Sequence, residues 1–217
     1  MAAPPEKSVD GGCEARYARH DCLWGTAEDP LARSLADALD PAGALVLDAG
    51  CGEGRNAAYL ARCGARVRAV DSSQLALEHA RRSWPQHDGI EWEQGDLRTV
   101  PLAPSSLDGL LACSVLHWLP ARDDVAAAIA RFRRATRPGG VHALLVFNDR
   151  VPWQAPAGES RRPWLLPHDW YLDQYRDWLV LDQSDIDETG SHAGHVEPHT
   201  HAVTRIVARR PAEGSPR

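Results

Sequence analysis

The sequence predicts an α/β fold: a doubly wound, mostly parallel seven-stranded sheet with an antiparallel last strand. Three observations carry that expectation. Apolar or alternating runs take turns with helical patterns through the first 147 residues, which reads as right-handed βαβ units with both sheet faces covered. The last two strand-like runs have no convincing helix between them, so they pair as a hairpin and make an antiparallel edge. The chain of 217 residues, 43% hydrophobic and 25% charged, has the size and balance of one folded domain.

Ala44–Ala49 is a short apolar run closed by Gly50 and suits a buried strand. Arg55–Cys63 follows, with apolar Ala57, Ala58, Leu60 and Ala61 and a helix stop at Gly64. Arg66–Val70 is a second strand. Asp71-Ser72-Ser73 after it can cap a helix Leu75–Trp84, which Pro85 ends. Ile90–Gln94 is a more polar third strand before Gly95-Asp96, and Leu107–Ser114 a fourth before His117-Trp118-Leu119-Pro120. Asp123–Thr136 is an amphipathic helix with Val125, Ala128, Ile129 and Phe132 on one face. Pro138-Gly139-Gly140 breaks it, and Val141–Phe147 is an apolar fifth strand. Asp149–Pro167 reads as a loop, Asp169–Asp177 as helical, and Trp178–Asp182 and Ala202–Ala208 as the closing strands. Residues 1–40 are expected to form a tail and a helical lid, residues 41–210 the domain, and residues 211–217 a disordered tail.

The net charge is −6 and Lys/Arg are scattered, which argues against a nucleic-acid platform. No run approaches 18 apolar residues, so no membrane partner is expected. Met1–Gly12 has no signal-peptide pattern. The five cysteines show neither metal-type pairs nor a disulfide density, and read as reduced cytoplasmic thiols. The expected partner is a small molecule, acting on a monomer or homodimer.

The strongest chemical signal is Leu47–Gly54, LDAGCGEG, between the first strand and the first helix. Gly50 and Gly52 let the backbone turn tightly and approach a ligand. The helix that starts near Arg55 presents unpaired N–H groups at its amino end. Asp71 ends the second strand, where a carboxylate can accept hydrogen bonds from ribose hydroxyls; this is the logic of nucleotide binding at strand ends. The spacing is GxGxG with an acid two residues before the first glycine, which departs from the dinucleotide fingerprint GxGxxG and disfavours NAD or FAD.

Asp48–Gly54 resembles motif I of the class I SAM-dependent methyltransferases, whose fold is Rossmann-like. Asp71 resembles their ribose-binding acid, Gly95-Asp96-Leu97 the segment beside the adenine, and Pro138-Gly139-Gly140 their turn before the fifth strand. A narrower resemblance, to TehB-type methyltransferases of the tellurite-resistance kind, rests on four sets of residues. They are Gly52–Asn56, Arg66–Asp71, Leu23-Trp24-Gly25, and the ending with Trp164, Trp178 and Pro198–His201. The implied cofactor is S-adenosyl-L-methionine (SAM). The resemblance places the methionyl moiety at Asp48, Gly50 and Gly52, the ribose at Asp71 and Ser72, and the adenine at Asp96 and Leu97. Cys113–Leu116 would line the sulfonium end. Arg55 either reaches the cofactor carboxylate or is a solvated helix arginine. Trp118 either walls the pocket by cation–π contact or belongs to the core.

Methyl transfer by SN2 needs a nucleophile held in line and kept dry, and a base only when that nucleophile arrives protonated. The candidate groups are His117, Asp149, His199 and His201. For the late histidines, with His192 and His195, three readings stand: solvent-facing residues, an oxyanion-binding or basic cluster, or a metal site completed by Glu197. No metal is assigned. Arg205, four past His201 on the same strand face, adds positive charge for an anionic acceptor or forms a surface ion pair. Tyr17, Arg19, His20 and Trp24 supply a possible lid. The expected function is SAM-dependent methyl transfer to a small molecule. The alternatives are another SAM-consuming reaction, such as cyclisation that releases methylthioadenosine, and a non-catalytic SAM sensor.

Overall fold

A computed structural model of the chain describes residues 14–154, 162–190, 199–212 and 214. The strands are β1 (Leu45–Ala49), β2 (Arg66–Asp71), β3 (Ile90–Gln94), β4 (Leu107–Cys113), β5 (Thr136–Phe147), β6 (Leu179–Gly190) and β7 (His199–Arg209). They form one seven-stranded sheet in the order β3-β2-β1-β4-β5-β7-β6. Strands β1 to β5 pair in parallel, and β7 runs antiparallel between β5 and β6. The predicted α/β class and antiparallel last strand are both present. Strand order reverses between β1 and β4, which opens a crevice at the carboxyl ends of the parallel strands.

The helices are α1 (Glu14–Tyr17), α2 (Pro30–Leu39), α3 (Arg55–Arg62), α4 (Gln74–Ser83), α5 (Arg122–Ala135) and α6 (His168–Asp173). Local signals set their starts. Asp29 accepts the Leu31 N–H at 2.9 Å with Pro30 behind it, and the Ser73 hydroxyl accepts the Ala76 N–H at 3.0 Å. The sheet is covered on both sides. Leu31, Leu35, Leu60 and Leu77 pack with Val46, Val67, Leu111 and Val207 on one face. Val125, Ile129, Phe132, Tyr171 and Tyr175 pack with Leu110, Leu144 and Ile206 on the other. Neighbours such as Leu110 and Leu111 serve opposite cores, which is why the central strands read as unbroken apolar runs. Among the described residues no helix is long and apolar enough to cross a membrane.

Two boundaries differ from expectation. The helix before Pro138 ends at Ala135, and Thr136 already pairs with Leu107, so Pro138-Gly139-Gly140 lies inside β5 rather than ahead of it. The ladder shifts register between Leu107 and Gly109, and that irregularity accommodates the proline. Gly139 sits at φ +81°, and a Cβ on Gly140 would come within 2.8 Å of the Asp108 carbonyl oxygen. The closing hairpin is also longer than predicted. β6 runs past Asp182 through Asp185, Asp187 and Glu188, because an edge strand with a solvated face tolerates charge and β7 satisfies its backbone. Trp178 precedes β6 and packs on His142 and Tyr175.

Candidate active site

The loop after β1 takes its shape from three glycines in the left-handed region: Gly50 at φ +73°, Gly52 at +53° and Gly54 at +78°. A Cβ on Gly50 would lie 2.3 Å from Val115 Cγ2, in the segment after β4. One on Gly54 would lie 2.2 Å from the Trp92 ring of β3. The loop is thus pressed between the segment after β4 and the Trp92 side chain of β3, and side chains at Gly50 and Gly54 are excluded.

Asp48, near the carboxyl end of β1, is 1% exposed. The Ala57 N–H lies near its carboxyl and pulls its pKa down, while Oδ2 has no hydrogen-bond partner among the described residues. Burial, and then the nearby Asp71 charge, push its pKa up to about 7. Asp71 ends β2 and accepts the Gly52 N–H on Oδ2 at 2.8 Å and the Ser73 N–H on Oδ1 at 2.9 Å. Its pKa is also raised by burial, against the pull of those N–H groups. Ser72 follows it, and its carbonyl accepts from Gln94 Nε2 at 3.1 Å. Asp96 feels an upward pull from partial burial, but the Arg98 guanidinium and N–H outweigh it and hold the carboxyl low. Leu97 is buried in the core, and its carbonyl accepts from Arg131. Arg55 turns to the entering segment: Nη1 donates to the Trp24 carbonyl at 2.7 Å, and Nη2 lies 3.9 Å from Asp29.

The other half of the crevice lies beyond β4 and β5. Cys113 ends β4, and burial, with the Asp29 carboxylate beside it, keeps its thiol protonated. Ser114 takes φ +56°, a rare conformation for a side chain-bearing residue, while its N–H donates to Leu145 at 2.8 Å. The chain then enters a 3-10 turn, Leu116–Trp118. His117 is fully buried, and its Nδ1 accepts the Phe147 N–H at 3.2 Å, an assignment that puts the proton of the neutral ring on Nε2.

Phe147 is the centre of an aromatic stack. His117 lies on one face with centroids 4.2 Å apart and His201 on the other at 4.1 Å. Trp153 lies beside the stack, near-parallel to both His201 at 5.4 Å and Phe147 at 6.2 Å, and Trp118 meets Trp153 edge to face. Two of the four candidate groups, His117 and His201, therefore come to one ring but on opposite sides of it. Asp149 is in an exposed turn. His199 starts β7 opposite Gly190. His192, His195 and Glu197 lie outside the described residues. Among the described residues no group of three or more His, Cys, Asp or Glu is arranged to hold a metal ion. Arg205 shares a row across the sheet with Leu145 and Cys113 and pairs with Glu188.

The comparisons agree with this geometry. A family model described as a methyltransferase domain matches residues 46–140. The malonyl-[acyl-carrier protein] O-methyltransferase of Pectobacterium atrosepticum is 36% identical over 183 residues, covering 79% of this chain and 67% of the relative. The trans-aconitate 2-methyltransferase of Azoarcus sp. is 36% identical over 188 residues, 76% of this chain and 70% of the relative. The chain belongs to the SAM-dependent methyltransferases. Two solved structures share its fold. TehB from Haemophilus influenzae has a TM-score of 0.74 at 19% identity, covering 94% of this chain and 67% of that one. The 1,6-didemethyltoxoflavin-N1-methyltransferase of Burkholderia thailandensis, with S-adenosylhomocysteine bound, scores 0.70 at 23% identity, covering 97% and 92%. The TehB likeness is one of fold and does not carry its substrate across.

The residues fit the cofactor of this methyltransferase family. A buried carboxylate oxygen without a partner among the described residues, a glycine cradle closed to side chains and a second acid at the next strand end suit a cationic, ribose-bearing ligand. Sequence reasoning missed Phe147, Trp153 and Glu53. The first two are joined to the site by sheet register and stacking, which local pattern does not reveal. Glu53 stands at a helix start, where an acid looks ordinary.

Proposed function

We propose that this methyltransferase transfers the methyl group of SAM to a small-molecule acceptor by in-line displacement, and that the acceptor is an organic acid. The observation that carries the first part is the Asp48 oxygen, unpartnered among the described residues, beside the Gly50–Gly52 cradle at the switch point of the sheet. When bound, SAM supplies an electrophilic methyl on a sulfonium.

In this reading the Gly50 and Gly52 backbone and Asp48 bind the methionyl end. Asp71 uses its remaining lone pairs for the ribose, next to Ser72. Asp96 accepts from the adenine and Leu97 packs against it. Cys113, a thiol rather than a thiolate, and Trp118 line the sulfonium end without competing as nucleophiles. His117 acts as a hydrogen-bond donor through Nε2 and orients the acceptor, since Nδ1 already accepts a backbone N–H. His201 borders the acceptor near the start of β7, and Asp149 stands at the rim, where an exposed turn suits product release better than proton abstraction. Arg55 steadies the cover rather than the cofactor carboxylate.

Two features support an acid as acceptor. The two relatives carry malonyl and trans-aconitate acceptors in their names. A carboxylate arrives ionised and needs no base, which agrees with a crevice whose buried histidine is a donor. Incubation with SAM and a panel of a malonyl thioester, trans-aconitate and tellurite tests both parts. S-adenosylhomocysteine with an organic acid is expected. Methylthioadenosine as product would overturn methyl transfer, and turnover with tellurite alone would overturn the acid.

A further inference from the structure

The cofactor loop has side chains as well as glycines, and they point to a second task. Glu53 lies between Gly52 and Gly54 and is only 6% exposed. Its Oε2 accepts the N–H of Leu23 at 2.7 Å and of Trp24 at 3.2 Å. Arg55, on the far side of Gly54, donates to the Trp24 carbonyl. Asn56 Oδ1 accepts the Asp29 N–H at 2.8 Å. Three residues at the start of α3 or just before it thus hold the backbone of the segment that enters the domain. Residues 20–28 of that segment form no helix or strand.

The same segment roofs the loop. A Cβ on Gly52 would meet the Tyr17 hydroxyl at 3.0 Å and the Trp24 ring at 3.7 Å, and the Trp24 indole donates to the Tyr17 hydroxyl at 3.0 Å. From the other side His79 Nδ1 meets Glu53 Oε1 at 3.1 Å, with the Tyr17 ring edge-on to the His79 ring. A carboxylate suits this position because it can accept two convergent N–H groups on one oxygen and keep the other for the histidine.

We propose that Glu53 is a positioning residue that latches residues 20–28 over the cofactor loop, so that SAM enters and leaves only when this latch opens. The proposal rests on the SAM-binding reading, and its first readout needs no cofactor. In hydrogen-exchange mass spectrometry, Glu53→Ala speeds exchange of the peptide carrying the Leu23 and Trp24 amides at least tenfold, while peptides of β1 and β4 keep wild-type protection. Glu53→Gln, which retains an oxygen acceptor, returns most of that protection. By calorimetry, the SAM dissociation constant of Glu53→Ala rises ten- to a hundredfold, and turnover at saturating SAM changes less than fivefold. Wild-type protection of Leu23 and Trp24 in the alanine variant overturns the latch. So does equal loss of protection in β1 and β4 for both variants, which marks a purely structural role. A wild-type protein that binds no SAM overturns the cofactor reading instead, and the exchange result still decides the latch.

Discussion

Asp48→Asn separates the cost of the cofactor site from its use. In the folded protein the Asp48 carboxyl titrates near 7, against 3.8 for the free group, because it is buried and faces the Asp71 charge. Between those values the folded state holds a proton that the unfolded chain has lost, so stability falls as pH rises from 3.8 to 7 and levels off above. The shift is about three pH units, and at 1.36 kcal/mol per unit it makes an ionised Asp48 cost about 4 kcal/mol. Asparagine keeps a carbonyl oxygen near the Ala57 N–H and cannot ionise. The ligand-free variant is therefore expected to exceed wild type by about 4 kcal/mol at pH 8.5 and by under half as much at pH 5, read from urea denaturation at both values. SAM affinity moves the other way. Wild type binds more tightly as pH rises through 7, whereas the variant binds weakly with no such rise. A stability difference independent of pH, or a variant less stable than wild type at pH 8.5, would refute the account of Asp48 as a buried, strained charge.

Three further expectations follow from the same geometry. Gly50→Ala forces a side chain into φ +73° and into Val115, so it should lower stability by about 2 kcal/mol or more and abolish SAM binding by calorimetry; Val115→Ala in addition does not rescue it, because the Cβ at 115 still lies 2.6 Å away. Phe147→Leu removes the stacked ring contacts with His117, His201 and Trp153 and should cost about 1–3 kcal/mol, with a KM for the acceptor that rises more than that for SAM. His142 is buried, and burial, then the Arg133 and Arg210 charges, lower its pKa to about 3. It stays neutral in the fold while the unfolded chain gains a proton below 6.5, so its contribution is full at neutral pH and is lost as pH falls toward 3. Denaturation at pH 7 and 4.5 should show about 3 kcal/mol more acid loss in wild type than in His142→Gln.

The parts of the fold that follow from local chemistry could be read from the chain alone. A glycine before a helix, Ser73 ahead of α4 and Pro30 at the start of α2 act within a few residues, and the strand and helix alternation up to Phe147 is local too. Asp48, the glycines and Asp71 are legible for the same reason: each occupies a strand end whose position follows from the pattern. The boundaries that shifted depend on partners distant in sequence. Pro138-Gly139-Gly140 looks like a terminator until Leu107 pairs with Thr136, and Asp185, Asp187 and Glu188 look like loop until β7 lies beside them. Nothing local announces that His117, Phe147 and His201 will share a stack, since three separate segments must first be brought together by the sheet. Glu53 was invisible because its partners come from a segment thirty residues earlier.

The antiparallel course of β7 decides where the protein can be handled. The strand enters at the active edge with His199 and leaves at the opposite edge, where Arg209 pairs with Val141 and the Gly139 N–H donates to Arg210. Glu14, the first residue of α1, lies on the other side, where its carboxylate meets the Ser73 hydroxyl close to the roof of the cofactor loop. A fluorophore, affinity tag or surface tether joined beyond Arg210 therefore stands a full strand length from the crevice. The same attachment joined at Glu14 stands beside Ser73 and the roof of the cofactor loop, so immobilised or labelled enzyme should be built from the carboxyl side.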